Sequence, residues 1–209
     1  MSPLPAGEDR PLTFGSFHVP AKINRDVVHL WARVLQAQPG ARIRFLYRAY
    51  DLAEVQRRIL GWFAEGGISG ERIGFEGELP YLEYLSRYEG IDVVLDPFPF
   101  SGGTITCDAL WMGVPVVTLP GRTFASRHSA SHLSVAGLAE LVARDADDYV
   151  AILGRLNADR RRLGDLRATL RGRVAASPLC DGPRFARHFE AALRDLWRRR
   201  SLPRSQPAG

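Results

Sequence analysis

The chain contains few cysteines, few lysines and no long hydrophobic run, and each shortage excludes a class of protein. Its two cysteines, Cys107 and Cys180, are too few and too far apart for the disulfide framework of a small secreted protein. No run approaches the ~20 apolar residues that a membrane-spanning helix needs. The opening residues, MSPLPAGEDRPL, lack the basic-then-apolar order of a secretory signal peptide. We therefore expect a cytoplasmic protein that has no membrane partner.

Two further classes of protein are disfavoured by how the charged residues and histidines are distributed. The net charge is +5, but the arginines are scattered and do not alternate with aromatic residues, as they do in nucleic-acid-binding segments. His128 and His132 are four residues apart but have no third ligand nearby. Asp145 and Asp147 form an Asp-x-Asp pair, which we interpret as the cap of the following helix. We expect no metal cofactor and no nucleic-acid partner.

Lysine is almost absent, and its single occurrence is informative. Of the 28 lysine and arginine residues, only Lys22 is a lysine. The ammonium group is a compact charge on a flexible stem, and it binds a phosphate oxygen as a point charge. Whether Lys22 can bind a phosphate depends on its position in the predicted fold.

Hydrophobic patterning predicts strands and helices that alternate along the chain. The predicted strands are Leu12–Phe17, Arg42–Tyr47, Arg72–Phe75, Asp92–Asp96 and Pro115–Leu119. The predicted helices are Arg25–Gln36, Leu52–Glu65, Pro80–Tyr88, Thr104–Met112 and Ser126–Val135. This order predicts an α/β fold, with a Rossmann-like parallel sheet, helices on both faces and C-terminal helices after it.

The domain organisation predicted from composition is simple. Residues 12–200 form one lobe, and the Pro/Ser/Gly-rich residues 1–11 and 201–209 form a disordered leader and tail. Hydrophobic residues make up 45% of the chain, enough for a real core. Each of the four tryptophans lies on an apolar helix face, so we place all of them in that core. They are Trp31, Trp62, Trp111 and Trp197.

The octapeptide SGGTITCD, residues 101–108, joins the fourth predicted strand to a helix. Gly102 and Gly103 allow another molecule to approach the backbone closely. The first amides of a helix have no internal partner and attract phosphate. The Thr104 hydroxyl is a further donor, and Asp108, one turn later, is a good acceptor for ribose hydroxyls. An ordinary capped corner has the same pattern, and on the octapeptide alone that alternative stays open.

Several candidate residues follow the carboxyl ends of different predicted strands, where parallel sheets bind ligands. Lys22 follows the first strand, Tyr81 and Tyr84 follow the third, and the glycine corner follows the fourth. We therefore predict a nucleotide diphosphate site at this edge, with Lys22 neutralising charge on the departing diphosphate. The remaining alternatives are an N-cap at Thr104, a surface ion pair at Asp108 and a solvated Lys22.

Three stretches resemble the C-terminal catalytic lobe of the O-linked N-acetylglucosamine transferase family, which includes the SPINDLY-type proteins. The longest is VVLDPFPFSGGTITCDALWMGVPVVTLPGRTFASRHSASHL; the others are LTFGSFHVPAKINRDVVHLWARVL and AASPLCDGPRFARHFEAALRDLW. The resemblance therefore extends over about residues 12–198, nearly all of the part expected to be ordered. The resemblance implies one lobe of a metal-independent GT-B glycosyltransferase. It also implies transfer of a sugar, with UDP-GlcNAc as the expected donor, to Ser or Thr hydroxyls of a protein acceptor.

The resemblance also implies roles for individual residues. Lys22 matches the lysine that contacts the donor diphosphate and assists its departure. Thr104 and Asp108 match the helix-start threonine and the ribose-binding aspartate. The remaining donor-binding residues implied around the base and the corner are Leu79, Pro80, Tyr81, Tyr84, Arg87, Gly102, Gly103 and Ile105.

The sequence departs from the family pattern at four of these positions. Gly103 stands where members often carry His or Thr, and Ile105 replaces a common threonine. Tyr84 stands where a histidine is usual, and Tyr81 stands where a lysine occurs. A tyrosine at 84 still stacks on a base, but the lost phosphate contacts leave the sugar and the nucleotide open.

The family's other catalytic lobe and its tetratricopeptide repeats are expected before Leu12, where only eleven residues stand. We therefore expect either a fragment or a lobe that acts with a separate chain. A degenerate, non-catalytic module that binds nucleotide or docks a partner remains the alternative function. An arginine-rich nucleic-acid binder is the weakest of the three.

Overall fold

The computed structural model describes residues 10–201. The predicted leader and tail lie almost wholly outside these residues. Five strands form the sheet: β1 Thr13–Ser16, β2 Arg42–Leu46, β3 Ile73–Glu76, β4 Val93–Leu95 and β5 Val116–Val117. Eight α-helices accompany them among the described residues: α1 Arg25–Ala37, α2 Ala53–Glu65, α3 Tyr81–Ser86, α4 Thr104–Trp111, α5 His128–Val135, α6 Ala146–Ala158, α7 Arg160–Ala175 and α8 Gly182–Ser201.

The sheet confirms the predicted fold class. Its strands are all parallel and follow the order β3-β2-β1-β4-β5. Because connections between parallel strands are right-handed, α1 and α2 cover one face, and α3 and α4 cover the other. The order reverses between β1 and β4, which places the segments after these two strands side by side.

The core lies between the sheet and its helices. The strands are short and almost wholly apolar, as a sheet covered on both faces requires. On α1, the fully buried side chains of Val27, Trp31 and Val34 face the sheet. The helix begins where predicted because the Asn24 side chain accepts the Val27 amide, 2.9 Å away.

The C-terminal helices behave in two different ways. Helices α6 and α7 pack onto the lobe, and the Asp145 side chain accepts the Asp148 amide at 2.8 Å, which confirms the capping interpretation. Helix α8 buries no residue. The prediction that every tryptophan is in the core is therefore wrong for Trp197, which is 73% exposed, and for Trp111, which is 44% exposed.

Within residues 10–201, no helix combines the length and the apolar character that crossing a membrane requires.

Candidate functional site

The corner after β4 contains two glycines with different surroundings. Gly102 is buried, and a Cβ there would lie 2.9 Å from both Asp96 Oδ1 and His18 Nε2. At Gly103, a Cβ would meet no atom within 4 Å. Only Gly103 therefore faces open space, whereas packing is what requires a glycine at 102.

Helix α4 begins at the open side of this corner. Thr104 is exposed, and Gly103 is the residue before the helix. Within the described residues, no hydrogen bond involves the backbone amides of Thr104 and Ile105. These amides carry the partial positive charge of a helix N-terminus. The corner therefore offers unoccupied donors to an anion.

Lys22 lies against the same corner. It ends a one-turn 3-10 helix, Pro20–Lys22, in the segment after β1. Its ammonium donates to the Ser101 carbonyl oxygen at 2.7 Å and lies 3.8 Å from the centre of the Phe100 ring. Burial lowers the pKa of Lys22, and the charge of Asp96 partly offsets that effect. The structure thus places the chain's only lysine next to the two glycines.

A cavity of about 270 Å³ opens beside α4. Five of the predicted donor-binding residues line it: Leu79, Tyr81, Tyr84, Ile105 and Asp108. The rings of Tyr81 and Tyr84 stack, with centroids 6.0 Å apart and an angle of 18° between their planes. These rings give the cavity an aromatic wall, which suits a flat heterocycle.

Asp108 supplies the acceptor of this cavity. The hydroxyls of Tyr81 and Tyr84 donate to its two carboxylate oxygens, both at 3.3 Å. Burial raises the pKa of Asp108, and the two tyrosine hydrogen bonds partly oppose that rise. Both bonds are long, so hydroxyls of a ligand can replace them at little cost. The carboxylate is thus available to a diol.

Two predicted residues lie elsewhere. Arg87 donates to Glu76 at 2.7 Å and lines a separate cavity of about 230 Å³ on the β2–β3 side. Pro80 is the exposed residue before α3 and does not line the cavity.

Sequence reasoning missed four lining residues and one that supports the corner. Of the four, Leu46 is the last residue of β2. Tyr47 and Arg48 follow β2, and Glu78 follows β3, so all three come after the carboxyl ends of strands. The rule that located Lys22 would have found them. Asp96 accepts the Gly102 amide at 2.7 Å. In the sequence, the only feature that points to Asp96 is that its carboxylate directly follows a buried strand.

One histidine of the pair on α5 faces a cysteine side chain. His132 Nδ1 lies 3.8 Å from Cys107 Sγ, and burial lowers the pKa of His132. Within the described part of the chain, no three His, Cys, Asp or Glu side chains are grouped to hold a metal ion.

Curated relatives match more than nine-tenths of this chain in sequence. The SPINDLY protein of Petunia hybrida, described as a probable UDP-N-acetylglucosamine–peptide N-acetylglucosaminyltransferase, is 37% identical over 203 residues. That match covers 95% of this chain and 22% of the relative. The UDP-N-acetylglucosamine–peptide N-acetylglucosaminyltransferase of Caenorhabditis elegans is 31% identical over 91% of the chain. The chain thus spans about a fifth of the length of these curated relatives.

Solved structures extend the comparison. A mutant O-GlcNAc transferase from Thermobaculum terrenum superposes with a TM-score of 0.86 at 37% identity, covering 93% of this chain and 37% of that one. Sucrose-phosphate synthase from Thermosynechococcus elongatus, at 21% identity and a TM-score of 0.61, shares the fold. The sequence profile of glycosyl transferase family 41 matches residues 6–189. The chain belongs to glycosyl transferase family 41.

Proposed function

We propose that this chain is the nucleotide-sugar-binding lobe of a protein O-glycosyltransferase. It binds UDP-GlcNAc, and the complete enzyme transfers GlcNAc to Ser or Thr hydroxyls of a protein acceptor. The observation that carries the proposal is that Lys22, the open start of α4 and the Asp108 cavity lie along one edge of the sheet. The names of the relatives support the choice of donor and acceptor.

The donor lies along α4 in this proposal. The base stacks on the aromatic wall formed by Tyr81 and Tyr84, and the ribose hydroxyls donate to Asp108 in place of the two tyrosine hydroxyls. The diphosphate then reaches the amides at Thr104, one helical turn from Asp108, or about 5.4 Å along the axis. A nucleoside diphosphate spans that distance.

Lys22 acts on the leaving group. The acceptor hydroxyl oxygen forms a bond to the anomeric carbon of the sugar, the bond from that carbon to the diphosphate oxygen breaks, and the hydroxyl proton passes to a base or to solvent. Negative charge then grows on the diphosphate, and the Lys22 ammonium and the α4 amides stabilise it. We propose no metal cofactor, because these groups supply the positive charge.

The proposal includes a second lobe. Transfer takes place in the cleft between two lobes, where groups from both sides hold the reactants and exclude water. This chain spans 22% of the Petunia relative and 37% of the Thermobaculum structure. We propose that an N-terminal lobe with tetratricopeptide repeats completes the enzyme, either upstream or on another chain, and that the enzyme works in the cytoplasm.

Titration calorimetry tests the donor site. We expect the chain to bind UDP more tightly than GDP, and Asp108→Ala to weaken UDP binding by about tenfold or more, since a hydrogen bond to a carboxylate is lost. Glu83→Ala, an exposed change on α3, is the control and leaves the affinity unchanged. UDP binding that Asp108→Ala does not alter would contradict the site.

Turnover tests the catalytic role. With the second lobe co-expressed, we expect sugar transfer that Lys22→Ala abolishes while the far-UV circular dichroism stays the same. Without that lobe, we expect little transfer. Full activity of Lys22→Ala would contradict the role given to the lysine.

A further inference from the structure

A single peptide group connects Lys22 to a buried carboxylate. The carbonyl oxygen of the Ser101–Gly102 peptide accepts the Lys22 ammonium at 2.7 Å. The N–H of the same peptide donates to Asp96 Oδ1, also at 2.7 Å. Hydrogen bonds at both ends of one peptide polarise it and strengthen each other. Lys22 and Asp96 are thus linked through this peptide, although each binds a different atom of it.

Asp96 is held firmly enough to act through this link. Its side chain is fully buried, and its second oxygen accepts the Thr118 hydroxyl at 2.7 Å. His18 Nε2 lies 3.4 Å from Oδ1 and has no hydrogen-bond partner within the described residues. The carboxylate therefore ties β4, the corner and the segment after β5 together.

We infer that Asp96 is a positioning residue of the donor site, which fixes the Ser101–Gly102 peptide and so holds the Lys22 ammonium in place beside the corner. The inference rests on the proposed function, because the proposed function is what identifies this corner as part of a donor site. Asp96 itself does not reach the donor, because it lies behind Gly102.

Few titratable groups surround this link. Asp96 offsets the fall in the pKa of Lys22 that burial causes. His18 faces the carboxylate from the segment after β1, and Tyr149 faces it from α6. On α5, the charge of Asp96 partly offsets the fall in the pKa of His132 that burial causes. His128, also on α5, contacts the Phe100 ring, and the Lys22 ammonium lies over the same ring.

The composition of the chain makes the test direct. Because Lys22 is the only lysine, labelling lysine with carbon-13 gives one side-chain signal, and its pH titration by NMR reports this ammonium alone. We expect Asp96→Asn to move the midpoint to lower pH, since a nearby negative charge is removed while the side chain keeps its shape. We also expect UDP affinity at pH 7.5 to fall about tenfold, because a charged partner of the corner is lost.

Asp92→Asn is the matched control. Asp92 is also fully buried and lies at the opposite end of β4, where it accepts the Thr13 amide at 2.7 Å. The change can lower the melting temperature, but we expect it to leave the lysine midpoint and the UDP affinity unaltered. An Asp96→Asn midpoint equal to that of wild type would overturn the inference, and so would an equal shift in both variants.

A measurement on the wild-type chain covers the case in which Asp96→Asn fails to fold. The Gly102 amide signal should shift with the same midpoint as Lys22, because one peptide joins them, whereas the amide of Gly164 on α7 should not. A Gly102 signal that ignores the lysine titration contradicts the link. A wild-type chain that does not bind UDP contradicts the proposed function instead, so the two failures are distinguishable.

Discussion

At the scale of single residues, the two corner glycines are neighbours in sequence but have different surroundings. A Cβ at Gly102 would crowd Asp96 and His18, whereas one at Gly103 would meet open space. We predict that Gly102→Ala lowers the free energy of unfolding by about 1–3 kcal/mol, as overpacking does. Gly103→Ala should change it by about 0.5 kcal/mol or less. Urea denaturation measures both, and equal losses would contradict the packing difference.

At Asp108, the proposed donor binding and the stability of the fold oppose each other. Because burial raises its pKa in the folded chain, the protonated form favours folding, and that contribution is lost as the pH rises through the folded-state pKa. We predict that Asp108→Asn raises the melting temperature at pH 7 while it weakens UDP binding. The gain in melting temperature should disappear below about pH 4, where the wild-type side chain is also neutral. A gain that is the same at every pH would contradict this origin.

At the scale of elements, α8 has an apolar stripe that nothing covers among the described residues. The exposed members are Phe185, Phe189, Leu193, Leu196 and Trp197. We predict that Leu193→Ala changes the free energy of unfolding by about 0.5 kcal/mol or less, as exposed substitutions do. The same change at Leu35, fully buried on α1, should cost about 2–5 kcal/mol. Thermal and urea unfolding compare the two, and similar losses would contradict the exposure of α8.

Helical spacing explains why the sequence misplaced Trp197. Periodicity shows which face of a helix is apolar, but not what packs against it. Periodicity likewise does not show the partner of Arg87, which forms an ion pair with Glu76 on β3. The alternation of strands and helices was sufficient to predict the parallel sheet. The rule that ligands bind at the carboxyl ends of parallel strands was sufficient to predict that Lys22 lies near the corner. The packing behind Gly102 combines the nearby Asp96 and Thr106 with His18, which is far away in sequence, so a local pattern predicts only part of it.

At the scale of the whole molecule, the two ends of the parallel strands carry different groups. Lys22, the corner and Asp108 lie at the carboxyl ends. At the amino end of β4, the buried Arg167 of α7 donates to the carbonyl oxygens of Ile91 and Asp92, at 2.8 and 3.2 Å. Those bonds join the C-terminal helices to the centre of the sheet, across 76 and 75 residues of chain.

This division predicts that stability can be changed without changing the donor site. Arg167→Ala leaves two buried carbonyls without a side-chain donor and removes packing, so we predict a loss of about 2–4 kcal/mol in the free energy of unfolding. UDP affinity, measured well below the melting temperature, should stay within about twofold of wild type, because additivity holds for distant sites. Arg161→Ala, an exposed change on the same helix, is the control and should alter neither quantity. A large fall in UDP affinity for Arg167→Ala alone would mean that the two ends of the sheet are coupled, and that the donor site depends on α7 as well as on the corner.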